Sequence, residues 1–322
     1  MRASRIETQV LFLEEGPLRK WMESSGVPAQ VIPWSGTRRD GMGAFRVWRW
    51  IKSLRPDLVQ LHHGGNLVRL VCRWAGVRPL VQHLHSEVVE PDLTPLSTHN
   101  LRYADAIIAC SRAAAEKLND ARVRVIYAGI DVPAEPPAAP PIGGPLRIGV
   151  LGRLVPLKNV DAIIRAAAAL RAQSVDVEVE IAGRGPSEPE LRQLAADLDP
   201  EPYVKFLGWR EDTRSLLGQW HLIAMPSSTE GFPVAVLEAM AAGRAVVASR
   251  VGGIPEIVED GVTGLLMDPG NAEQLSVALS RLAHNRLLLE SMGRAGWQRV
   301  GKNFSIDAMV RDTRALYREL ER

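Results

Sequence analysis

Residues 133–145, PAEPPAAPPIGGP, constrain the fold of this chain more than any other stretch. Proline fixes φ and offers no N–H, so a segment this rich in it cannot enter a sheet ladder or the interior of a helix. It reads as an extended linker. The 322 residues then divide into a first domain over 1–132, the linker, a second domain over 146–304 and a final helical stretch over 305–322. Hydrophobic residues make up 46%, enough to give each domain its own core.

Both sides of the linker alternate short apolar runs with helical patterns. In the first domain, Val10-Leu11-Phe12-Leu13 and Ala29-Gln30-Val31-Ile32 read as strands with a helix over 18–24 between them. Further strands are predicted at 58–61, 80–83, 106–109 and 123–126, and Ser111 is a suitable N-cap for a helix over 112–118. In the second domain a strand over 146–151 ends in Gly152, and an Ala-rich helix covers 160–173. A strand over 177–182, a helix over 188–198 and strands over 204–207 and 222–225 follow. The alternating charges of 175–180 predict an edge strand. Strand–helix alternation implies mostly parallel sheets with helices on both faces. The expected fold is α/β, two Rossmann-like domains facing a cleft, with ligands at the carboxyl ends of the strands.

The stretch 230–249, EGFPVAVLEAMAAGRAVVAS, carries the most chemistry. Gly231-Phe232-Pro233 reads as a turn, with Pro233 suited to the first helical position. Good helix formers run to Ala242, Gly243 stops them, and 245–248 is a buried-strand run. The start of such a helix presents free N–H groups and a positive dipole end, which favour an anion. Glu230 precedes it and Glu238 lies in its second turn. Carboxylates flanking an anion site suit a ligand with both phosphates and hydroxyls, such as a sugar nucleotide. Arg153 and Lys158, five residues apart after the first strand of the second domain, could both reach a diphosphate, Arg as a planar fork and Lys as a mobile point charge.

The totals exclude several classes. A formal net charge of +2 drives no nucleic-acid binding. Cys72 and Cys110, the only cysteines, lie in apolar surroundings and read as buried thiols in a reducing compartment. No window approaches the roughly 20 apolar residues that a membrane span needs. A cytoplasmic chain is expected, with peripheral contact to the inner face of the membrane, through Phe45, Trp48, Trp50, Ile51 and Lys52, left open. Asp197-Leu198-Asp199 ends a helix and reads as a solvated turn; no metal ligands are expected.

Glu230 and Glu238 with seven residues between, together with Gly252-Gly253-Ile254-Pro255-Glu256-Ile257, Asp260-Gly261-Val262-Thr263-Gly264-Leu265-Leu266, and Gly152-Arg153-Leu154 with Lys158-Asn159, resemble the retaining glycosyltransferases of family four. The resemblance implies the GT-B fold and transfer of a sugar from a nucleotide-diphosphate sugar, UDP- or GDP-linked, to the hydroxyl of a saccharide or lipid-linked acceptor, as in cell-surface polysaccharide or glycolipid synthesis. It implies no cofactor, no metal and no protein base. It puts Arg153 and Lys158 on the diphosphate, Glu238 on the ribose hydroxyls and Glu230 near the sugar ring. Backbone N–H groups of Gly231 and Phe232 would meet sugar hydroxyls, and those of Val234 and Ala235, beyond Pro233, the phosphate. Gly152, the Gly183-Arg184-Gly185 loop and Leu207 would line the nucleotide side. His85 would touch the transferred sugar, with His62 and His63 along the cleft. The last helix would cross back onto the first domain.

Two departures accompany the resemblance. Arg184 stands where many relatives carry Asp. The strand, glycine-rich loop and helix that usually precede the stretch at Val10 are missing, so the first domain is expected to lack its first strand and that loop. Two rival readings follow: a nucleotide-sugar-binding protein that has lost catalysis, and a nucleotide-sugar epimerase or hydrolase.

Overall fold

The computed structural model describes residues 6–37, 39–62, 65–85, 101–141, 143–198 and 203–321. In chain order the first half contains β1 (Val10–Phe12), α1 (Pro17–Ser24), β2 (Ala29–Val31), α2 (Gly41–Leu54), β3 (Val59–Leu61), α3 (Asn66–Trp74), β4 (Leu80–Leu84), β5 (Ala106–Ala109), α4 (Arg112–Leu118) and β6 (Val123–Val125). The second half contains β7 (Leu146–Leu151), α5 (Val160–Ala172), β8 (Val177–Ala182), α6 (Glu188–Leu198), β9 (Val204–Gly208), α7 (Thr213–Gln219) and β10 (Leu222–Met225). It continues with α8 (Val234–Ala241), β11 (Ala245–Ser249), α9 (Ile254–Ile257), β12 (Gly264–Met267), α10 (Ala272–His284), α11 (Arg286–Asn303) and α12 (Ile306–Leu320).

The second half builds one six-stranded parallel sheet in the order β12-β11-β10-β7-β8-β9. From β7 the chain steps outward to β8 and β9, then returns to lay β10 on the other side of β7. The order therefore reverses between β7 and β10, and their carboxyl ends open a crevice at the switch point. One face of the sheet is covered by α5, α10 and α11, with Ile148, Val150, Ile163, Ile164, Leu279 and Leu282 in one buried cluster. The other face packs Ile223, Val236, Leu237, Met240 and Val246 together with Ala109, Cys110 and Ala114 from the first half. The two halves thus share a core. Both cysteines are free and buried, and burial pushes the Cys72 thiol up to about 12.

The charged alternation of β8 does not mark an edge. β8 lies between β7 and β9, and β9 is the outer strand. Glu178 and Glu180 are accommodated there by cross-strand cations. Lys205 Nζ lies 3.5 Å from Glu178 and 3.8 Å from Glu180, and the Trp220 indole N–H donates to Glu180 at 2.8 Å.

The first half is less continuous than the strand pattern suggests. β3-β4-β5-β6 form a four-stranded parallel sheet, and β1-β2 pair separately. The short pair joins the domain through side chains instead of a ladder: Leu11, Leu13, Ile32 and Trp34 pack with Val47, Ile51, Val71 and Leu80. Gly16, in extended conformation, precedes the Pro-led start of α1. Of the apolar face read for α2, Ile51 is buried, alongside Val47, while Trp48 and Trp50 are half-buried against that core. Phe45 is exposed and stacks on Trp48.

The linker is coil laid against the second half. Arg244, 1% exposed, donates to the carbonyls of Pro137 and Ala138 at 2.6 and 3.0 Å, and Trp297 Nε1 donates to that of Pro133. At the far end, α12 packs Leu316, with Met309, Tyr317 and Leu320, against Val81, Ala106, Ile108 and Ile126 of the four-stranded sheet. Ile130 bridges to Ser305 just before α12, so the 129–131 stretch anchors this return.

Candidate active site

The loops leaving β7, β8 and β9 are stitched by their main chains. Gly183 N–H donates to the Gly208 carbonyl at 2.8 Å, Gly152 N–H to Ala182 at 3.1 Å, and Leu154 N–H to Arg184 at 2.9 Å. Gly183 has φ +155°, and a Cβ there would sit 1.8 Å from the Gly152 oxygen. Only glycine permits that approach. Gly185 passes equally close to Leu154, and the Arg184 side chain lies over Gly208.

A short 3₁₀ turn, 156–158, continues from β7 toward β10. Ser228 N–H donates to the Leu157 carbonyl at 2.9 Å, and Asn159 Nδ2 to that of Pro226 at 3.0 Å. These bonds hold the β7 and β10 loops side by side across the switch point. Lys158 Nζ and Glu230 Oε1 meet there at 2.5 Å, and Ser227 Oγ donates to the same oxygen at 2.7 Å. The Glu230 side chain is 9% exposed and that of Lys158 23%. Each ion is held ready by the other, and both retain a route to the crevice. Arg153, on the same loop, is exposed and engages no described partner.

Helix α8 begins beside this pair. Pro233 is its N-cap (φ −72°, ψ 112°), one residue earlier than the first helical position expected for it, and its carbonyl accepts from Val236 N–H at 3.1 Å. The N–H groups of Val234 and Ala235 have no described partner, as the first turn of a helix dictates. Glu238, one turn on, is half-buried, and no described group hydrogen-bonds its carboxylate. Burial raises that carboxyl above its ordinary value. The edge therefore gathers two cations, two free amides and an acid waiting for donors. Leu207 lies near the end of the outer strand β9, half-buried.

On the first sheet His62 follows β3, His83 lies in β4 and His85 follows it. His62 Nδ1 and His85 Nε2 are 2.9 Å apart. His63 lies outside the described residues. No described contact joins His85 to Arg153, Lys158, Glu230 or Glu238. Asp197, in the declined acidic motif, accepts from Gln193 within α6; Asp199 lies outside the described residues.

Two family models match, one described as Glycosyltransferase Family 4 over residues 8–133 and one as Glycosyl transferases group 1 over residues 145–285. The chain belongs to glycosyltransferase family four. Its two Rossmann-like halves around a crevice are the GT-B fold. This family-four chain is 38% identical over 147 residues to the amylovoran biosynthesis glycosyltransferase AmsK of Erwinia amylovora, covering 43% of this chain and 36% of that one. It is 34% identical over 251 residues to the D-inositol 3-phosphate glycosyltransferase of Salinispora tropica, covering 67% and 51%. The chain spans about a third to a half of the length of these curated relatives. The crystal structure of Anabaena HepE in complex with UDP-glucose superposes with a TM-score of 0.84 at 22% identity, over 97% of this chain and 92% of that one. At that identity the likeness speaks for the fold.

Two residues of this family-four chain had no role assigned from the sequence, although one stands in a quoted motif. Glu256, in α9, crosses to the first half and accepts from the N–H groups of Arg112 and Ala113, at 3.0 and 3.1 Å, and from the Tyr127 hydroxyl at 2.8 Å. It thus satisfies the orphan amides at the start of α4. Burial first, and the Glu256 bond second, push the Tyr127 hydroxyl up to about 12. Phe232 is buried in a trio with Tyr127 and Phe304, at ring separations of 5.0 and 5.6 Å. Its side chain serves the junction between halves, leaving only its backbone for a ligand. Gly253 fits under this contact: a Cβ would lie 2.5 Å from the Gly231 oxygen and 3.0 Å from Ser111 Cβ.

Proposed function

We propose that this chain transfers a sugar, with retention of anomeric configuration, from a nucleotide-diphosphate sugar to a hydroxyl acceptor. The observation that carries the reading is the Lys158–Glu230 pair at the β7/β10 switch point, beside the free amides of α8. Arg153 and Lys158 take the diphosphate oxygens, and the Val234 and Ala235 amides complete the cradle. Charge that builds on the departing diphosphate is then met by fixed groups that need no reorganisation, usually the largest part of such catalysis. Glu230, released in part from Lys158, accepts from sugar hydroxyls. Glu238 accepts from the ribose, which supplies the donors its half-buried carboxylate lacks. Gly152, Gly183, Gly185 and Leu207 border the base.

In the transfer, the bond from the anomeric carbon to the diphosphate oxygen breaks and a bond to the acceptor oxygen forms on the same face. The acceptor proton passes to the leaving diphosphate, so neither a protein base nor a metal at the diphosphate takes part. We assign 146–304 to the donor, 1–132 with His85 to the acceptor side, and 305–322 to fastening the two. A UDP-sugar is the favoured donor, on the likeness to a fold crystallised with UDP-glucose. A saccharide acceptor in surface polysaccharide synthesis is favoured by the name of the AmsK relative. No helix among the described residues is long and apolar enough to cross a membrane. Contact with a membrane surface, for a lipid-linked acceptor, would use the exposed Met42 and Phe45 of α2 beside Arg46 and Arg49.

The test is product analysis with a panel of UDP- and GDP-sugars and saccharide acceptors, with and without EDTA. Transfer that persists in EDTA and gives the donor's anomeric configuration, read from the proton coupling of the new linkage, is expected. An inverted product contradicts the mechanism. Free or epimerised sugar without acceptor points to the hydrolase or epimerase alternative, and tight UDP binding with no transfer to the binding-protein alternative.

A further inference from the structure

We propose that His62, His83 and His85 form a site for one divalent transition-metal ion, Zn²⁺ by preference, at the carboxyl end of β3 and β4. The site lies on the first sheet and the diphosphate cradle on the second, and the inference does not depend on the nucleotide-sugar reading.

The sheet register brings the three residues together. β3 and β4 run parallel with Leu61 opposite Gln82, so the next residues outward are His62 and His83. His85 follows His83 by two, which returns it to the same side of the strand. The His83 and His85 rings stack at 4.1 Å, and His62 lies 5.1 Å from each. One ring nitrogen from each residue falls within 4.8 Å of the others. Tetrahedral zinc with Zn–N bonds of about 2.0–2.1 Å needs nitrogens about 3.3 Å apart. Small χ rotations close that difference, and they are open to these rings because His62 and His85 are exposed and His83 is half-buried.

The surroundings supply the outer support that a metal-bound imidazole needs. Gln60 Nε2 lies 3.0 Å from His62 Nε2, and the Tyr317 hydroxyl, from α12, donates to Gln60 Oε1 at 2.7 Å. In this arrangement His62 Nε2 accepts, so its Nδ1 carries the proton and donates to His85 Nε2. Turning the Gln60 amide over reverses the sense. Its oxygen then accepts from His62 Nε2–H, its NH₂ donates to the Tyr317 oxygen, and His62 Nδ1 becomes a lone pair facing that of His85. Two facing lone pairs repel unless a cation joins them. The carbonyl–histidine–metal relay that results is the usual outer arrangement of zinc sites.

The chemistry of the donors selects the ion. Among the described residues the cluster consists of imidazoles with no carboxylate, a set suited to Zn²⁺, Cu²⁺ or Ni²⁺ and poor for Mg²⁺ or Ca²⁺. Three protein ligands leave a fourth position for water or an anion.

The experiment is a Zn²⁺ titration of the tag-free full chain in competition with a chromophoric chelator, paralleled by Co²⁺ with its visible absorption. One saturable equivalent is expected, with a cobalt spectrum of tetrahedral type. His83→Ala and, separately, His62→Ala should each weaken binding at least tenfold, while His284→Ala, exposed at the end of α10, should leave it unchanged. Gln60→Ala, which keeps all three ligands, should weaken it about tenfold. Wild-type binding no tighter than that of His62→Ala, or no single saturable equivalent, overturns the proposal. Should His83→Ala fail to fold, the exposed His62 variant carries the same test. UDP affinity measured on the same samples separates this outcome from any failure of the donor-site reading.

Discussion

The carboxyl edges of the two large sheets are built by different means. On the second sheet, main-chain bonds between successive loops fix the crevice before any side chain is considered, and Lys158 and Glu230 are set in it as a pair. Among the described residues, the corresponding edge of the first sheet is defined by side chains: a histidine cluster, Gln60, and Tyr317 reaching over from α12. A main-chain frame is indifferent to most substitutions of the side chains around it. A side-chain frame changes with each one. A ligand common to many relatives suits the first kind of edge, and a variable acceptor the second.

The sharpest way to break this comparison is to remove the piece that joins the two edges. Phe232→Ala empties the aromatic trio at the junction. It should cost about 3–5 kcal/mol in denaturant unfolding, as for other buried Phe truncations. A loss under about 1 kcal/mol would mean that the halves are held elsewhere. Next comes the crevice itself. Glu230→Gln removes the charge that holds Lys158 and should lower the transfer rate about 10²-fold, in the range for losing one electrostatic contact to the reacting groups, with the melting temperature little changed.

Glu256→Ala tests the polar part of the junction. It leaves the first amides of α4 without their acceptor and should cost about 1 kcal/mol in denaturant unfolding, as for a lost helix cap. The smallest effect sharpens the picture of the second sheet's edge. A raised carboxyl pKa means that the folded chain loses stability as pH climbs through it, because the buried charge then forms without a partner. Glu238→Gln removes that charge, so without ligand it should melt above wild type at pH 8 and together with it near pH 4. Wild type should regain the difference when UDP is added.

The carboxyl edge of the second sheet was largely legible in the sequence because its determinants are local. Arg153 and Lys158 follow a predicted strand, and Glu230 and Glu238 bracket a predicted helix start. Strand–turn–helix patterning alone therefore delivers them to one sheet edge. What local pattern cannot carry is the partner of each strand. The Glu178/Glu180 alternation reads as an edge because the cations that accommodate it, Lys205 of β9 and Arg147 of β7, are brought alongside only by the sheet order. The same limit hid Glu256, whose acceptors are needed 144 residues earlier in the chain. It also hid the grouping of His62 with His83 and His85, which depends on the β3–β4 register. The prolines of the 133–145 segment make it read as an extended linker. Its fastening by buried Arg244 did not show, since nothing local distinguishes that arginine from an exposed one.

The central claim is that the second sheet's switch point holds a diphosphate through Lys158. Calorimetric titration of UDP into the wild-type chain and into Lys158→Ala tests it most directly. The account predicts an affinity at least tenfold weaker in a variant that keeps the wild-type circular dichroism. Equal affinity in the two folded proteins would contradict it.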